Sequence, residues 1–129
     1  MTTKPTILVA RAIFPDDLAK LQDRYEVLSN QADQVFTPDE LRNHLANVDG
    51  ALVTGSERID QSALADAKRL KIVANISVGY NNFDVPAMTA AGVQASNTPD
   101  VLTETTADFG FALLMATARR VCESEHFLR

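Results

Sequence analysis

Short apolar runs alternate with helix-forming segments along the first hundred residues, and this alternation constrains the fold more than any other feature. Each apolar run is only a few residues long, which suits a strand better than a helix. Strands separated by helices form βαβ units, in which the helix returns the chain to the starting edge of the sheet so that the two strands run parallel. The sequence therefore predicts an α/β fold with a doubly wound, five-stranded parallel sheet and helices on both faces. The predicted strands are residues 6–10, 26–29, 50–54, 72–76 and 93–96.

The predicted helices carry start and stop signals of known chemistry. Thr37 stands three residues before Glu40, which is the spacing of a capping box. Asp60 and Asp84 precede helical segments, where an N-cap side chain accepts hydrogen bonds from the first turn. Gly92 follows a short helical segment and suits a C-terminal cap.

Composition and charge argue against several classes of partner. The 129 residues are 46% hydrophobic and 22% charged, and the net charge is −5. An acidic chain is not attracted to nucleic acid or to anionic membranes, so we expect neither partner. No apolar run reaches the roughly 18 residues of a membrane-spanning helix, and the polar N-terminus does not resemble a signal peptide. Because Cys122 has no second cysteine to pair with, we expect a reducing, cytoplasmic location.

The stretch of residues 72–84 contains a candidate binding site. Its apolar start suits a buried parallel strand, and Ser77, Val78 and Gly79 follow as a loop in which glycine lets the backbone approach a ligand. A strand that leads through such a loop into a helix places backbone N–H groups at the carboxyl end of the sheet. Open α/β folds bind ligands at that edge, and anions suit it best. A plain strand-to-helix turn explains the same spacing, and both interpretations stay open here.

The segment from residue 103 to residue 120 has a different pattern. It contains no proline, and its apolar residues, among them Phe109, Phe111 and Leu114, go nearly all the way round a helix. A helix that is apolar on all sides must be covered on all sides. A domain of this size, with its sheet faces covered by other helices, has little room to enclose it. We therefore expect a homodimer through the helix 103–120, and the alternative is a helix packed on the sheet through one face.

Several kinds of active site are missing from the sequence. His44, His126 and Cys122 are too few and too scattered to predict a metal site. No Gly-x-Ser-x-Gly segment supports a serine nucleophile. The five glycines never form the Gly-x-Gly-x-x-Gly loop that holds a dinucleotide, nor a P-loop. We therefore expect no metal ligands, no serine nucleophile and no nucleotide-binding loop.

Two motifs carry a resemblance to a known family. The first is Ser-Val-Gly-Tyr-Asn-Asn-Phe-Asp at 77–84, and the second is Asn-Thr-Pro-Asp-Val-Leu-Thr-Glu-Thr-Thr-Ala-Asp at 97–108. In this order and spacing they resemble the NAD(P)-dependent D-isomer-specific 2-hydroxyacid dehydrogenases, and within them the glyoxylate/hydroxypyruvate and 2-ketogluconate reductases. The resemblance covers the whole chain and implies a flavodoxin-like substrate-binding domain, in a family whose complete members are much longer.

The resemblance also implies roles for particular residues. The loop after the fourth strand would hold the substrate carboxylate with its backbone amides, and the loop after the third strand would line the far wall of the cleft. Thr106 would contact the nicotinamide cofactor from the interdomain helix. The family's catalytic arginine, glutamate and histidine belong to a cofactor domain, so no catalytic residue is expected in this chain. The implied substrate-binding residues are Ser77, Val78, Gly79, Gly55 and Ser56.

These expectations combine into one interpretation. Residues 1–100 are the N-terminal part of the substrate-binding domain, residues 101–129 are an interdomain and dimerisation helix, and the Rossmann cofactor domain is absent. The complete oxidoreductase would transfer hydride from NAD(P)H to a 2-keto acid and release the D-2-hydroxy acid. This truncated chain alone is expected to be inactive and to bind neither NAD nor NADP. The alternative is a stand-alone module of the same fold that binds small carboxylates, or regulates, without catalysis.

Overall fold

A computed structural model describes residues 4–129, in which strands and helices alternate through the fifth strand and two helices follow. The described residues separate into one compact unit that ends at Thr98 and a second unit, Pro99–Arg129. The strands are β1 Thr6–Val9, β2 Glu26–Ser29, β3 Gly50–Val53, β4 Ile72–Asn75 and β5 Gln94–Ser96, and the helices are α1 Pro15–Arg24, α2 Pro38–Leu45, α3 Gln61–Leu64, α4 Val85–Ala90, α5 Thr103–Ala118 and α6 Val121–Leu128.

The first unit is built on a five-stranded sheet in the order β2-β1-β3-β4-β5. Every pairing is parallel, which confirms the predicted doubly wound α/β architecture. Each strand lies within one residue of its predicted bounds at either end. The carboxyl ends of all five strands therefore meet at one edge of the sheet, where ligands bind in folds of this kind.

The hydrophobic core lies on one face of the sheet. Leu8, Ala51 and Val73 are register partners across β1, β3 and β4, and all three are buried. Burying a large aliphatic side chain contributes roughly 1.5–3 kcal/mol, so this layer supplies much of the stability of the fold. The helices α2, α3 and α4 pack on it through the buried side chains Leu41, Leu45, Ala63, Leu64 and Met88.

The opposite face of the sheet is covered less completely. Ile72, the first residue of β4, and Ile76, which follows the strand, are 41% and 45% exposed, and α1 contains no buried residue. A cavity of about 810 Å³ lies between α1 and the sheet, lined by Leu21, Leu52 and Ile76 among others. The premise that helices fully cover both faces is therefore wrong for this face. Because α1 connects β1 to the edge strand β2, it does not extend over the exposed ends of β4.

The helix signals of the first unit are confirmed. The Thr37 side chain accepts a hydrogen bond from Glu40 N, and the Glu40 carboxylate accepts one from Thr37 N, which completes the capping box. Asp60 and Asp84 cap α3 and α4 through bonds from backbone amides of the first turn. Gly92 has a φ of 69°, a left-handed conformation in which glycine carries no Cβ penalty.

The second unit consists of two helices. The predicted helix begins at Thr103 as expected, but it ends at Ala118, and α6 follows it. Arg120 separates the two helices in a left-handed conformation with a φ of 52°. No residue of α5 is buried, and Phe111 and Leu114 are 64% and 63% exposed. Within residues 4–129, no helix has both the length and the hydropathy that crossing a membrane requires.

Candidate functional site

Two of the predicted site segments are neighbours at the carboxyl edge of the sheet. Residues 77–79, the 77–79 loop, follow β4, and residues 54–57, the 54–57 loop, follow β3. The strands β3 and β4 are hydrogen-bonded partners. A Cβ atom on Gly55 would lie 3.6 Å from the Ser77 hydroxyl, so the two loops approach within van der Waals contact. The structure therefore brings Ser77, Val78 and Gly79 together with Gly55 and Ser56.

The backbone of the 77–79 loop has its carbonyl groups bonded and its amide groups free. No acceptor among residues 4–129 takes a hydrogen bond from the N–H groups of Ser77, Val78 or Gly79. Such adjacent, unpaired donors form an anion-binding geometry when they converge. The donors to the three carbonyl oxygens, in chain order, are Thr98 N at 3.0 Å, Asn97 Nδ2 at 2.7 Å and Asn75 Nδ2 at 3.0 Å.

Gly79 leaves open space beside the loop. A Cβ atom added at Gly79 would meet no atom within 4 Å among the described residues, and its φ lies outside the left-handed region. The turn itself therefore does not require glycine. What glycine provides at this position is room for another molecule to approach the backbone.

Two asparagines, one buried and one half-buried, connect the 77–79 loop with the 54–57 loop. Asn75, at the end of β4, is 2% exposed, and its Nδ2 donates both to Gly79 O and to Asn82 Oδ1, each at 3.0 Å. Asn82 in turn donates from Nδ2 to Thr54 O at 3.0 Å and to Glu57 O at 2.9 Å. The two loops are therefore parts of one hydrogen-bonded structure.

The Glu57 carboxylate holds the 54–57 loop from inside. Glu57 is 2% exposed, and its Oε2 accepts hydrogen bonds from Thr54 N at 2.8 Å and from Thr54 Oγ1 at 2.9 Å. Arg11 follows β1 and donates from Nε to Asp33 at 2.9 Å. This bond holds the pKa of the Asp33 carboxyl below its ordinary value and raises that of the Arg11 guanidinium. The ion pair between Arg11 and Asp33 therefore connects the loops that follow β1 and β2.

Sequence reasoning missed these supporting side chains. Asn75 carried a usable signal, because a polar residue inside an apolar strand must find hydrogen-bond partners when it is buried. Asn82 carried no such signal, since the carbonyl groups that its side chain holds lie on another segment of the chain. The contact between Asn97 and Val78 O joins residues 19 positions apart and could not be read from local pattern.

The remaining candidates lie elsewhere or are not supported. Thr106 lies in the first turn of α5, in the second unit, and is exposed. Within residues 4–129, no group of three or more histidine, cysteine, aspartate or glutamate side chains is placed to share a metal ion. The chain contains no Gly-x-Gly-x-x-Gly segment, so its residues do not fit the pyrophosphate of a nicotinamide dinucleotide.

Comparisons with known proteins identify the family of the chain. A family model described as D-isomer specific 2-hydroxyacid dehydrogenase, catalytic domain, matches residues 7–124. A glyoxylate reductase of Pyrococcus furiosus is 42% identical over 126 residues, which are 98% of this chain and 38% of that protein. A glyoxylate reductase of Thermococcus kodakarensis is 41% identical over the same share of both chains.

Solved structures show the same relationship. A protein of Thermus thermophilus superposes with a TM-score of 0.81 at 36% identity, covering 96% of this chain and 40% of that one. An NADPH-dependent glyoxylate/hydroxypyruvate reductase of Sinorhizobium meliloti, solved with NADP and malonate, gives 0.72 at 35% identity, covering 98% and 38%. The chain thus spans about two-fifths of the length of these relatives. It belongs to the D-isomer specific 2-hydroxyacid dehydrogenase family and matches that family's catalytic domain.

Proposed function

We propose that this chain is the N-terminal, substrate-binding part of a reductase for 2-keto acids of the glyoxylate, hydroxypyruvate or 2-ketogluconate class. The product is the D-2-hydroxy acid, and NADH or NADPH supplies the hydride. The observation that supports this proposal most directly concerns the 77–79 loop. Its backbone N–H groups have no acceptor among residues 4–129, and the space beside Gly79 is open. Residues 1–100 then form the substrate-binding part, and residues 101–129 form the interdomain and dimerisation segment.

The loop binds the carboxylate that all these substrates share. The N–H groups of Val78 and Gly79 donate to its oxygens, and each charge-assisted bond contributes roughly 1.5–3 kcal/mol. Gly55 and Ser56 are exposed on the neighbouring loop and form the wall beside the bound acid. Holding the carboxylate fixes the position of the adjacent keto carbon, which is the contribution of binding geometry to the rate.

The nicotinamide cofactor requires residues beyond this chain. The sequence holds no glycine-rich loop for the pyrophosphate, so we assign the cofactor, the acid–base group and the substrate-binding arginine to a separate cofactor domain. Thr106, exposed on α5, is the proposed point at which this chain touches the cofactor. The 129-residue chain alone is therefore inactive and binds no dinucleotide.

The proposed assembly is a cytoplasmic homodimer paired through the helix of residues 103–120. The apolar side chains of α5 support this proposal, because Phe109, Phe111 and Leu114 are each more than 60% exposed. Exposed apolar side chains of this number mark a surface that another protein surface covers.

Ligand titrations of the 129-residue chain test the proposal. Oxalate, a dicarboxylate mimic of the substrate, should shift the amide NMR signals of Val78 and Gly79, while NADH fluorescence should not change. The full-length product of the gene should oxidise NADH or NADPH when glyoxylate or hydroxypyruvate is added. Low-micromolar NADH binding by the chain alone would contradict the assignment of the cofactor site. Oxalate binding without any reductase activity of the gene product would favour the stand-alone carboxylate-binding module.

A further inference from the structure

We infer that Asn97 and Asn75 are positioning residues, whose side-chain amides set the direction of the N–H groups of Gly79, the last residue of the 77–79 loop, and of Tyr80, which follows it. Asn82 extends the same function to the 54–57 loop. The inference rests on the proposed carboxylate-binding role of the 77–79 loop. It adds to that role by identifying which side chains hold the binding geometry, although none of them is proposed to touch the substrate.

Peptide geometry links each bonded carbonyl to one free amide. The described chain contains no cis peptide bond, and in a trans peptide the C=O and N–H groups point in opposite directions. The bond from Asn97 Nδ2 to Val78 O therefore directs the N–H of Gly79 away from Asn97. The bond from Asn75 Nδ2 to Gly79 O directs the N–H of Tyr80 in the same manner. Two side chains thus determine where two successive amides of this segment point.

Burying Asn75 at the end of a hydrophobic strand costs free energy of folding. It is 2% exposed, and its Oδ1 has no hydrogen-bond partner among the described residues. An unsatisfied buried acceptor costs roughly 1–3 kcal/mol, whereas an apolar side chain in the same place would carry no such cost. What the amide supplies instead is its two donated bonds, one to Gly79 O and one to Asn82 Oδ1. Asparagine at this position therefore lowers the stability of the fold but fixes the geometry of the loop.

Asn82 makes the orientation of one loop depend on the other. Its Oδ1 accepts from Asn75, and its Nδ2 donates to the carbonyl oxygens of Thr54 and Glu57. The side chain of Asn82 accepts one hydrogen bond and donates two. Removing it therefore frees both the Asn75 side chain and the backbone carbonyl groups of the 54–57 loop. Loss of Asn82 should therefore loosen both loops, whereas loss of Asn97 should loosen only the 77–79 loop.

The first experiment replaces Asn97 by Asp in the full-length product of the gene. Asp has the same size but removes the donor to Val78 O, and since Asn97 is only half-buried the variant should fold. The KM for the 2-keto acid should rise about tenfold, which corresponds to about 1.4 kcal/mol. The KM for NADH or NADPH and the kcat should stay within about twofold, because a bond outside the reacting atoms changes ground-state and transition-state binding equally.

A matched variant controls for the general effect of an Asn-to-Asp change on the protein. Asn47 also donates from Nδ2 to a backbone carbonyl, Asn43 O at 2.9 Å, but it lies just after α2 on the surface. Asn47→Asp should leave every KM unchanged. A purely structural role of Asn97 would instead lower the melting temperature of Asn97→Asp and leave its KM per folded molecule unchanged.

Hydrogen–deuterium exchange separates failure of this inference from failure of the proposed function. In Asn82→Ala, exchange should rise both in the peptide that covers residues 54–57 and in the peptide that covers residues 77–83. In Asn97→Asp, exchange should rise only in the peptide that covers residues 77–83. If the wild-type protein reduces no 2-keto acid, the proposed function is wrong, and exchange still decides whether these amides position the loop. Unchanged exchange in the 77–83 peptide of Asn97→Asp, together with an unchanged KM or oxalate affinity, overturns the positioning role.

Discussion

Nη1 of Arg11 lies 3.9 Å from Oε1 of Glu57, and both atoms are buried without a hydrogen-bond partner among residues 4–129. The distance exceeds a hydrogen bond, so the two groups interact through their opposite charges. Glu57 is anchored at its other oxygen by Thr54, and Arg11 by Asp33. This pair therefore connects the loop after β1 with the 54–57 loop, which carries Gly55 and Ser56.

Replacing Glu57 by Gln should destabilise the protein. Gln keeps the size of the side chain but removes the negative charge that faces Arg11 Nη1 and that strengthens the two hydrogen bonds from Thr54. Hydrogen bonds to a charged group contribute roughly 1.5–3 kcal/mol. Urea unfolding should report a free energy of unfolding lower by about 2–3 kcal/mol. The control is Glu26→Gln, at an exposed position of the edge strand β2, and it should change stability by less than about 0.5 kcal/mol. Equal stabilities of the two variants would show that the Arg11–Glu57 attraction is negligible.

Asp60 should make the stability of the protein depend on acidic pH. The N–H of Ala63 and the guanidinium of Arg58 hold the pKa of the Asp60 carboxyl below its ordinary value. The unfolded chain titrates near 3.9, so the stabilisation is complete above that pH and is lost as the pH falls through the lower folded-state pKa. Asp60→Asn keeps an N-cap side chain but cannot ionise. Between pH 5 and pH 2, its free energy of unfolding should therefore fall less than that of the wild type, as measured by urea unfolding; parallel pH profiles would contradict this.

The sheet and the proximity of the two candidate loops were predictable because their signals are local. The apolar run that ends at Asn75 and the loop that follows it lie in one short segment, and the parallel topology places that loop beside Gly55. Capping by Thr37 and Asp60 depends only on residues within a few positions. In each case the physical cause of the structure is contained in the pattern that predicted it.

The supporting roles of Asn82 and Asn97 were not predictable because the backbone groups that they hold are distant in sequence. Asn82 donates to the carbonyls of Thr54 and Glu57, which are 28 and 25 positions away. The left-handed conformation of Arg120, which divides the last segment into two helices, is adopted by a residue type that rarely takes it. Long-range hydrogen bonds and an unusual backbone conformation leave no periodic trace, so pattern reasoning could not find them.

The helix α5 should mediate self-association of the protein. Phe111→Glu places a charge on the exposed apolar surface, where Phe111 is 64% exposed. Aromatic residues at the centre of an interface each contribute about 2 kcal/mol or more, so the dimer should dissociate at least about tenfold more readily. The control Thr105→Glu changes a polar residue of the same helix and should leave the dimer intact. Sedimentation equilibrium measures both, and a monomeric wild type at high concentration, with no binding of a hydrophobic dye, would rule the dimer out.

Replacing Gly79 by Val should weaken substrate binding without unfolding the protein. No described atom lies within 4 Å of the added Cβ, and the φ of Gly79 is ordinary, so the variant should melt within about 2 °C of the wild type. The branched side chain fills the space through which a carboxylate would reach the amides of Val78 and Gly79. In the full-length enzyme, kcat/KM should therefore fall by about a hundredfold, the equivalent of roughly 2.7 kcal/mol.

Gly92→Ala provides the opposite control for that prediction. Gly92 has a φ of 69°, so a Cβ there strains the backbone by roughly 1–2 kcal/mol although it meets no described atom within 4 Å. Because Gly92 follows α4 and lies before β5, on the amino side of that strand, it is separated from the carboxyl-edge loops. Its replacement should lower the melting temperature and leave kcat/KM per folded molecule unchanged. Melting curves and kinetics on both variants therefore distinguish a binding loop from a structural turn. An unchanged kcat/KM in Gly79→Val would remove the 77–79 loop from the active site.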